Sequence, residues 1–338
     1  MESAMSTADD PAGDPVETER WVPTSDGHEL HLRQVRPRAG DGGAPGVLFL
    51  PGLFADGGFF LGRSGQGPAK AFLDEGFTAY VASLRGHGPS RWPERRAYDW
   101  NFDTYVRHDV PDLIRAVSAA HDGPLFVLAH SMVGYAALAA LGVDPDLQKR
   151  LVGVATVSSA VNDYSDGGLS KRAQLTFSSV ISRLVGRFPA RALKQGRWDE
   201  PPGLMRQFAA WAPSGAFRSA DGVTDYWQAL GQVTLPVLVG IGAGDTFHAS
   251  PARARKLADH LGGGAEFTLF GRETGLSWDP GHVDVIRGAR AQEQVLPKLV
   301  AWMRGTSPAG DARGGATGDT TTDETTTGDT TTGDTTKE

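Results

Sequence analysis

The stretch that most constrains this chain is Pro124 to Gly142, PLFVLAHSMVGYAALAALG. Leu125 to Ala129 is apolar at every position, as a strand covered on both sheet faces must be. His130, Ser131 and Met132 follow. Val133 to Leu141 then runs through small apolar helix formers, and Gly142 stands where a helix C-cap is expected. A strand that passes through one Ser directly into a helix makes a sharp turn. Such a turn lifts the Ser hydroxyl clear of the sheet and aims the first helical N–H groups at the same space. Turns of this kind usually carry Gly two residues before and two after the Ser. Here those positions hold Ala129 and Val133, and Gly134 comes one residue late. The branched Val133 side chain is therefore expected to need room against small neighbours, with Ala155, Thr156 and Ala136 as the candidates.

The rest of the chain alternates strand and helix. An opening hairpin is read over Trp21–Val35, around Ser25-Asp26-Gly27, and short apolar strands at 46–50, 77–84 and 151–157. Helices are read over 68–75 and 104–121, with Pro111 tolerable only near a first turn or at a kink. From about 161 to 233 the rhythm breaks into helical stretches at 171–184, 203–211 and 223–230, separated by Gly and Pro. It resumes with strands at 235–241 and 266–270 and helices at 251–261 and 289–304. The expected fold is α/β: a mostly parallel sheet with helices on both faces and an inserted helical lid. The expected divisions are a tail 1–18, a core first part 19–160, a lid 161–233, a core second part 234–305 and a Thr/Gly/Asp-rich tail 306–338.

Charge is placed unevenly. Residues 1–18 carry five acids and no base, and residues 306–338 carry seven acids and two bases, within a total of −7. The portion between is therefore slightly basic, and the acidity belongs to the ends. Both ends are too polar and too low in complexity to offset the entropy of ordering, so both are expected to be disordered. With no Cys there is no disulfide, thiolate nucleophile or Cys-held metal. No basic block with interleaved aromatics suggests nucleic acid. No run approaches the roughly 20 apolar residues of a membrane span. Residues 1–19 lack the basic start and apolar core of an export signal, so the cytoplasm is the expected compartment.

A Ser that attacks a carbonyl needs a base to take its proton and an acid to hold that base. Asp245 follows the strand LPVLVGI, and His282 follows the strand EFTLF through a loop ending Pro280-Gly281-His282. Ser131, Asp245 and His282 thus fall on loops after parallel strands, in an order that lets them converge at one sheet edge. The N–H of Met132, and that of Leu53 after the strand VLFL, are the candidate donors to a developing oxyanion. Phe54, Phe59, Phe60, Trp211 and Trp227 are candidates to line a substrate pocket. His130 is read as a packing or supporting residue, His87 as a structural loop residue, and Asp284 as a residue that orients the His282 loop.

With these residues placed, the chain resembles the α/β-hydrolase superfamily over about 19–305, and within it the acid lipases of the lysosomal and gastric type. The likeness lies in FLPGLFADGGFF, SLRGHGPSR, YDWNFDTYVRHDVPDLI, LAHSMVGY, MRQFAAWAPSGAFRSAD and GHVDVIRG. It implies Ser131 as nucleophile, Asp245 as acid, His282 as base, Leu53 and Met132 as oxyanion donors, and a small apolar ester as substrate, with no metal or organic cofactor. Acyl transfer by the same three residues, or an idle hydrolase-fold binding protein, are the alternatives. Because Thr/Gly/Asp repeats cannot offset about 1–2 kcal/mol of backbone entropy per ordered residue, a chain ending at 305 is expected to keep the melting temperature of the full chain. Calorimetry of the two proteins checks this, and a clear drop on truncation contradicts it.

Overall fold

The computed structural model describes residues 16–37, 43–92 and 97–307. The expected tails, apart from 16–18 and 306–307, lie outside the described residues. Eight strands form one sheet in the order β1-β2-β4-β3-β5-β6-β7-β8. They are β1 Val16–Pro23, β2 Glu29–Arg36, β3 Gly46–Leu50, β4 Thr78–Ser83, β5 Leu125–His130, β6 Gly153–Val157, β7 Val237–Gly242 and β8 Glu266–Phe270. The pairs β1/β2 and β2/β4 are antiparallel; every other pair is parallel. The first three residues of β1 were expected to belong to the tail. Instead Val16, Glu17 and Thr18 pair with Arg36, Val35 and Gln34, because the backbone ladder continues where side-chain polarity alone gives no signal.

The helices are α1 Gly58–Leu61, α2 Ala69–Leu73, α3 Phe102–Thr104, α4 Val110–Ser118, α5 Met132–Val143, α6 Leu169–Val185, α7 Pro202–Ser214, α8 Tyr226–Leu230, α9 Pro251–Asp259, α10 Ala289–Gln294 and α11 Leu296–Thr306. They cover both faces of the sheet. In β5, Leu125, Val127 and Ala129 join the core cluster that holds α4 and α5, while Phe126 and Leu128 join the one that holds α2 and α11. Alternate residues therefore enter opposite cores, which is why the strand is apolar at every position. Among the described residues no helix is long and apolar enough to cross a membrane.

Two expected helices are broken, each at a proline that cannot donate a backbone hydrogen bond. Residues 104–121 divide into α3, a π-helical turn at Tyr105–Asp109, and α4 with Pro111 in its first turn. Residues 289–304 divide into α10 and α11 around Val295, with Pro297 in the first turn of α11. The third stretch of the insertion starts late: α8 begins at Tyr226, where the Asp225 side chain accepts from Gln228 N–H at 3.2 Å. In α6 the apolar residues Leu169, Phe177, Val180 and Leu184 face outward, and Lys171, Ser178 and Ser182 face inward beside the single apolar Leu175. This inversion of the usual arrangement is invisible to periodicity, which gives the stripe but not its direction.

The π-helical turn carries a buried ion pair that ties three segments together. Arg85, after β4, donates through Nε to Asp109 Oδ1 at 2.7 Å and through Nη1 to Asp26 Oδ2 of the β1–β2 turn at 2.8 Å. Arg85 and Asp109 have side chains no more than 1% exposed. Burial opposes the charge on Asp26, but the bonds from Arg85 and Thr24 outweigh it and hold its carboxyl well below the usual range. Asp109→Ala leaves Arg85 with only the less buried Asp26 as a counter-charge, so it is expected to lower unfolding free energy by about 3 kcal/mol, the low end for a broken buried pair. Urea unfolding measures it, and a loss under about 1 kcal/mol contradicts the reading.

Candidate active site

Ser131, Asp245 and His282 follow β5, β7 and β8, and the parallel sheet brings all three to one edge. Ser131 sits at φ 57°, ψ −130° as the residue before α5. That is a left-handed backbone with a side chain on it, a strained state that persists only where its surroundings enforce it. They do so on both sides. Ser131 N–H donates to Val157 O at 2.9 Å, and its carbonyl accepts from Ser159 Oγ at 2.8 Å and Gly134 N–H at 3.0 Å. The Ser131 hydroxyl lies 2.9 Å from His282 Nε2, and His282 Nδ1 lies 2.6 Å from Asp245 Oδ2. The tautomer that satisfies both has Nδ1–H donating to the carboxylate and Nε2 accepting from Ser131. Asp245 is buried, and its other oxygen accepts from Ala249 N–H at 3.0 Å.

The tight approach of the elbow falls on Gly134 and Gly52. A Cβ on Gly134 would lie 2.0 Å from Ser159 Oγ and 3.1 Å from Thr156 Cβ. A Cβ on Gly52 would lie 2.9 Å from Ser131 Cβ and 3.0 Å from His130 Nδ1. Val133 is wholly buried in the α4/α5 core, and its φ is not among the positive ones. The room that the branched Val133 side chain was expected to need is supplied by that core. The helix face that crowds β6 is the one carrying Gly134.

Gly52 lets the loop after β3 cross the elbow, which brings Leu53 against Ser131 at the wall of both cavities found there. Neither Leu53 N–H nor Met132 N–H has an acceptor among the described residues. The larger cavity, about 830 Å³, is lined by Ser131, His282, Leu53, Phe54 and Phe59, with Arg63, Arg197 and Arg287 around it. Of the five aromatic candidates, Phe54 and Phe59 therefore face the site and three do not. Phe60 is fully buried and packs on Phe49. Trp211 lies edge-on to Phe102 and Phe217 and donates to Arg218 O. Trp227 packs on Phe217 and His260 and donates to Gly215 O. Aromatics in a helical insertion close their own core first.

The fold and the family match agree. A family model described as serine aminopeptidase, S33, matches residues 59–207, a stretch that contains Ser131 and ends before Asp245 and His282. Among solved structures, the complex of DcsB with its substrate analogue aligns at a TM-score of 0.62 and 18% identity, over 88% of this chain and 100% of that one. A thermophilic esterase from Thermogutta terrifontis aligns at 0.55 and 18%, over 86% and 100%. The alpha/beta hydrolase domain-containing protein 10 from mouse aligns at 0.52 and 14%, over 85% and 97%. These likenesses show that the chain has the α/β-hydrolase fold. No curated protein matches it by sequence.

Several further residues support the site. His130 donates from Nε2 to His282 O at 2.9 Å and stacks on Phe59 with ring centroids 4.7 Å apart. It thereby pins the backbone of His282, the supporting position expected of it. Asp284 accepts from Gly281 N–H at 2.7 Å and from Trp278 Nε1 at 3.2 Å, which ties the His282 loop. Sequence reasoning missed Glu200. It is fully buried, takes Phe54 N–H at 3.0 Å, and lies 3.1 Å from His87 Nε2. Phe54 has φ 63°, so the insertion grips a strained residue of the loop that carries Leu53. A lone acid 146 positions away gives no sequence signal. His248, whose ring lies 4.9 Å from that of His282, was also missed.

Burial pushes His130 down to about 3 and His248 down to about 4, so both are neutral near pH 7. An unfolded His titrates near 6.5. Below that value the unfolded chain binds protons that the folded chain refuses, so their contribution is whole above about pH 6.5 and declines as pH falls toward 4. Melting temperature is expected to fall over that window, and less steeply in His130→Gln; an unchanged slope contradicts this. Val133→Gly removes a buried side chain and loosens a helix, and is expected to cost about 2–4 kcal/mol in urea unfolding. A stabilised Val133→Gly contradicts the reading that this side chain is well housed in the core.

Proposed function

We propose that this protein hydrolyses carboxylic esters through an acyl-enzyme on Ser131. The observation that carries the proposal is the continuous hydrogen-bonded path from Ser131 Oγ through His282 to Asp245, set on a strained turn above an open cavity. His282 Nε2 takes the Ser131 proton as Oγ attacks the ester carbonyl. Asp245 stays ionised and steadies the imidazolium through Nδ1–H. The N–H groups of Leu53 and Met132 hold the oxyanion, a role supported by their lack of other acceptors. His282 then gives its proton to the departing alcohol. Water enters, His282 takes a proton from it, and the acyl group leaves as the acid while Ser131 regains its proton.

The apolar side chains of Leu53, Phe54 and Phe59 around the cavity suit an apolar part of the substrate. The segment 161–233 acts as a lid: α6 lends Gln174 to the larger cavity, and the stretch after it lends Gln195, Gly196 and Arg197. A fluorophosphonate probe is expected to label the protein covalently and to leave Ser131→Ala unlabelled. Equal labelling of both removes Ser131 from the role. His282→Ala and Asp245→Ala are each expected to lower turnover of a short p-nitrophenyl ester by about 10⁴-fold.

A further inference from the structure

Beside Ser131 lies a second, smaller cavity of about 80 Å³, bounded by the polar residues Ser158, Lys171 and Gln174 and by apolar side chains. Its polar members are unusual. Lys171 is only 7% exposed, and no carboxylate among the described residues is in ion-pair contact with it; the Asp245 charge favours its ammonium from farther off. Its ammonium rests 4.3 Å from the centre of the Phe247 ring. Ser158 is 1% exposed, with a hydroxyl that has no hydrogen-bond partner. Its backbone is left-handed, at φ 55°. Gln174, one turn after Lys171 on α6, has a buried, unpartnered Oε1. Buried polar groups normally find partners, and a buried cation without one is costly. The three residues, from α6 and the end of β6, line one space with room for only a few heavy atoms.

We propose that this cavity binds a carboxylate on the acyl part of the substrate. The proposal rests on Ser131 being the nucleophile, which places the acyl group at the mouth of the same cavity. The Lys171 ammonium and the Ser158 hydroxyl donate to the carboxylate oxygens. Gln174 turns its amide so that Nε2 donates as well, since the orientation of an amide follows its partners. Leu175, Phe188, Met205 and Phe208 form an apolar wall that takes one or two methylenes. The substrate class is thus the half-ester of a short dicarboxylic acid, with the alcohol lying toward the larger cavity. Burial lowers Lys171 to about 8, which leaves the amine mostly protonated near pH 7, as carboxylate binding requires.

The test compares monomethyl succinate with methyl butanoate, which match in acyl length and differ in the carboxylate. The wild type is expected to favour the half-ester in kcat/KM by roughly tenfold or more, the scale of a charge-assisted hydrogen bond. Lys171→Met is expected to abolish that preference, and Ser158→Ala to reduce it. A wild type that favours the neutral ester, or a Lys171→Met variant that keeps the ratio, overturns the proposal. Lys171→Met is also expected to melt no lower than wild type, because it removes an unpaired buried charge. Should the variant fail to fold, Ser158→Ala carries the comparison. Calorimetric titration with free succinate separates this proposal from the nucleophile assignment. If neither ester turns over, succinate binding that weakens about tenfold in Lys171→Met still supports the subsite, and binding equal in both proteins overturns it.

Discussion

The arrangement depends on one constrained residue. Ser131 holds a left-handed backbone because β6 anchors it from below, through Val157 O and Ser159 Oγ, and because Gly52 and Gly134 admit neighbours too close for any side chain. A relaxed turn would put the hydroxyl back into the sheet edge, and His282 would have nothing to accept. Strain of about 1–3 kcal/mol is small against a core packed on both sheet faces. The fold can therefore hold the turn without losing its cooperative stability.

The three interacting side chains are secured by different means. Ser131 is fixed by backbone geometry. Asp245 is fixed by burial and by the Ala249 N–H. His282 is fixed through its own carbonyl, which His130 holds, and through a loop closed by Asp284. The Leu53 loop is secured from outside the sheet, by Glu200 on Phe54 N–H and by Arg197 N–H on Phe54 O at 2.9 Å. The segment 161–233 thus both borders the cavities and holds the loop facing Ser131.

What could be read in the sequence follows from which interactions are local. Strand β5, the junction at Ser131 and the loops bearing Asp245 and His282 are written in short contiguous patterns, and the structure brings these three residues together. The π-helical turn ahead of Pro111 and the break at Val295 were legible only as places where a proline must be accommodated. Glu200, Lys171 and Ser158 gave no signal, because their significance is a missing or distant partner, created only when the insertion folds over the sheet edge. Val133 is a position where the motif pattern departs from Gly and the core supplies the room, while the close approach of α5 to the segment 156–159 falls on Gly134, one residue later. Of the aromatic residues, Phe54 and Phe59 were found facing the cavity because they lie beside the loop that crosses the elbow. Phe60, Trp211 and Trp227 fill cores, the commoner fate of such side chains.

The central claim is that Ser131, His282 and Asp245 act as one unit that forms and then hydrolyses an acyl-enzyme. The most direct measurement is mass spectrometry of the protein acid-quenched during turnover of a p-nitrophenyl ester. The account predicts a mass increase of one acyl group, located on the peptide containing Ser131, and its accumulation in a His282→Ala variant loaded slowly with the same ester. Hydrolysis with no acylated Ser131 in either protein, or an acyl group carried by another residue, would contradict it.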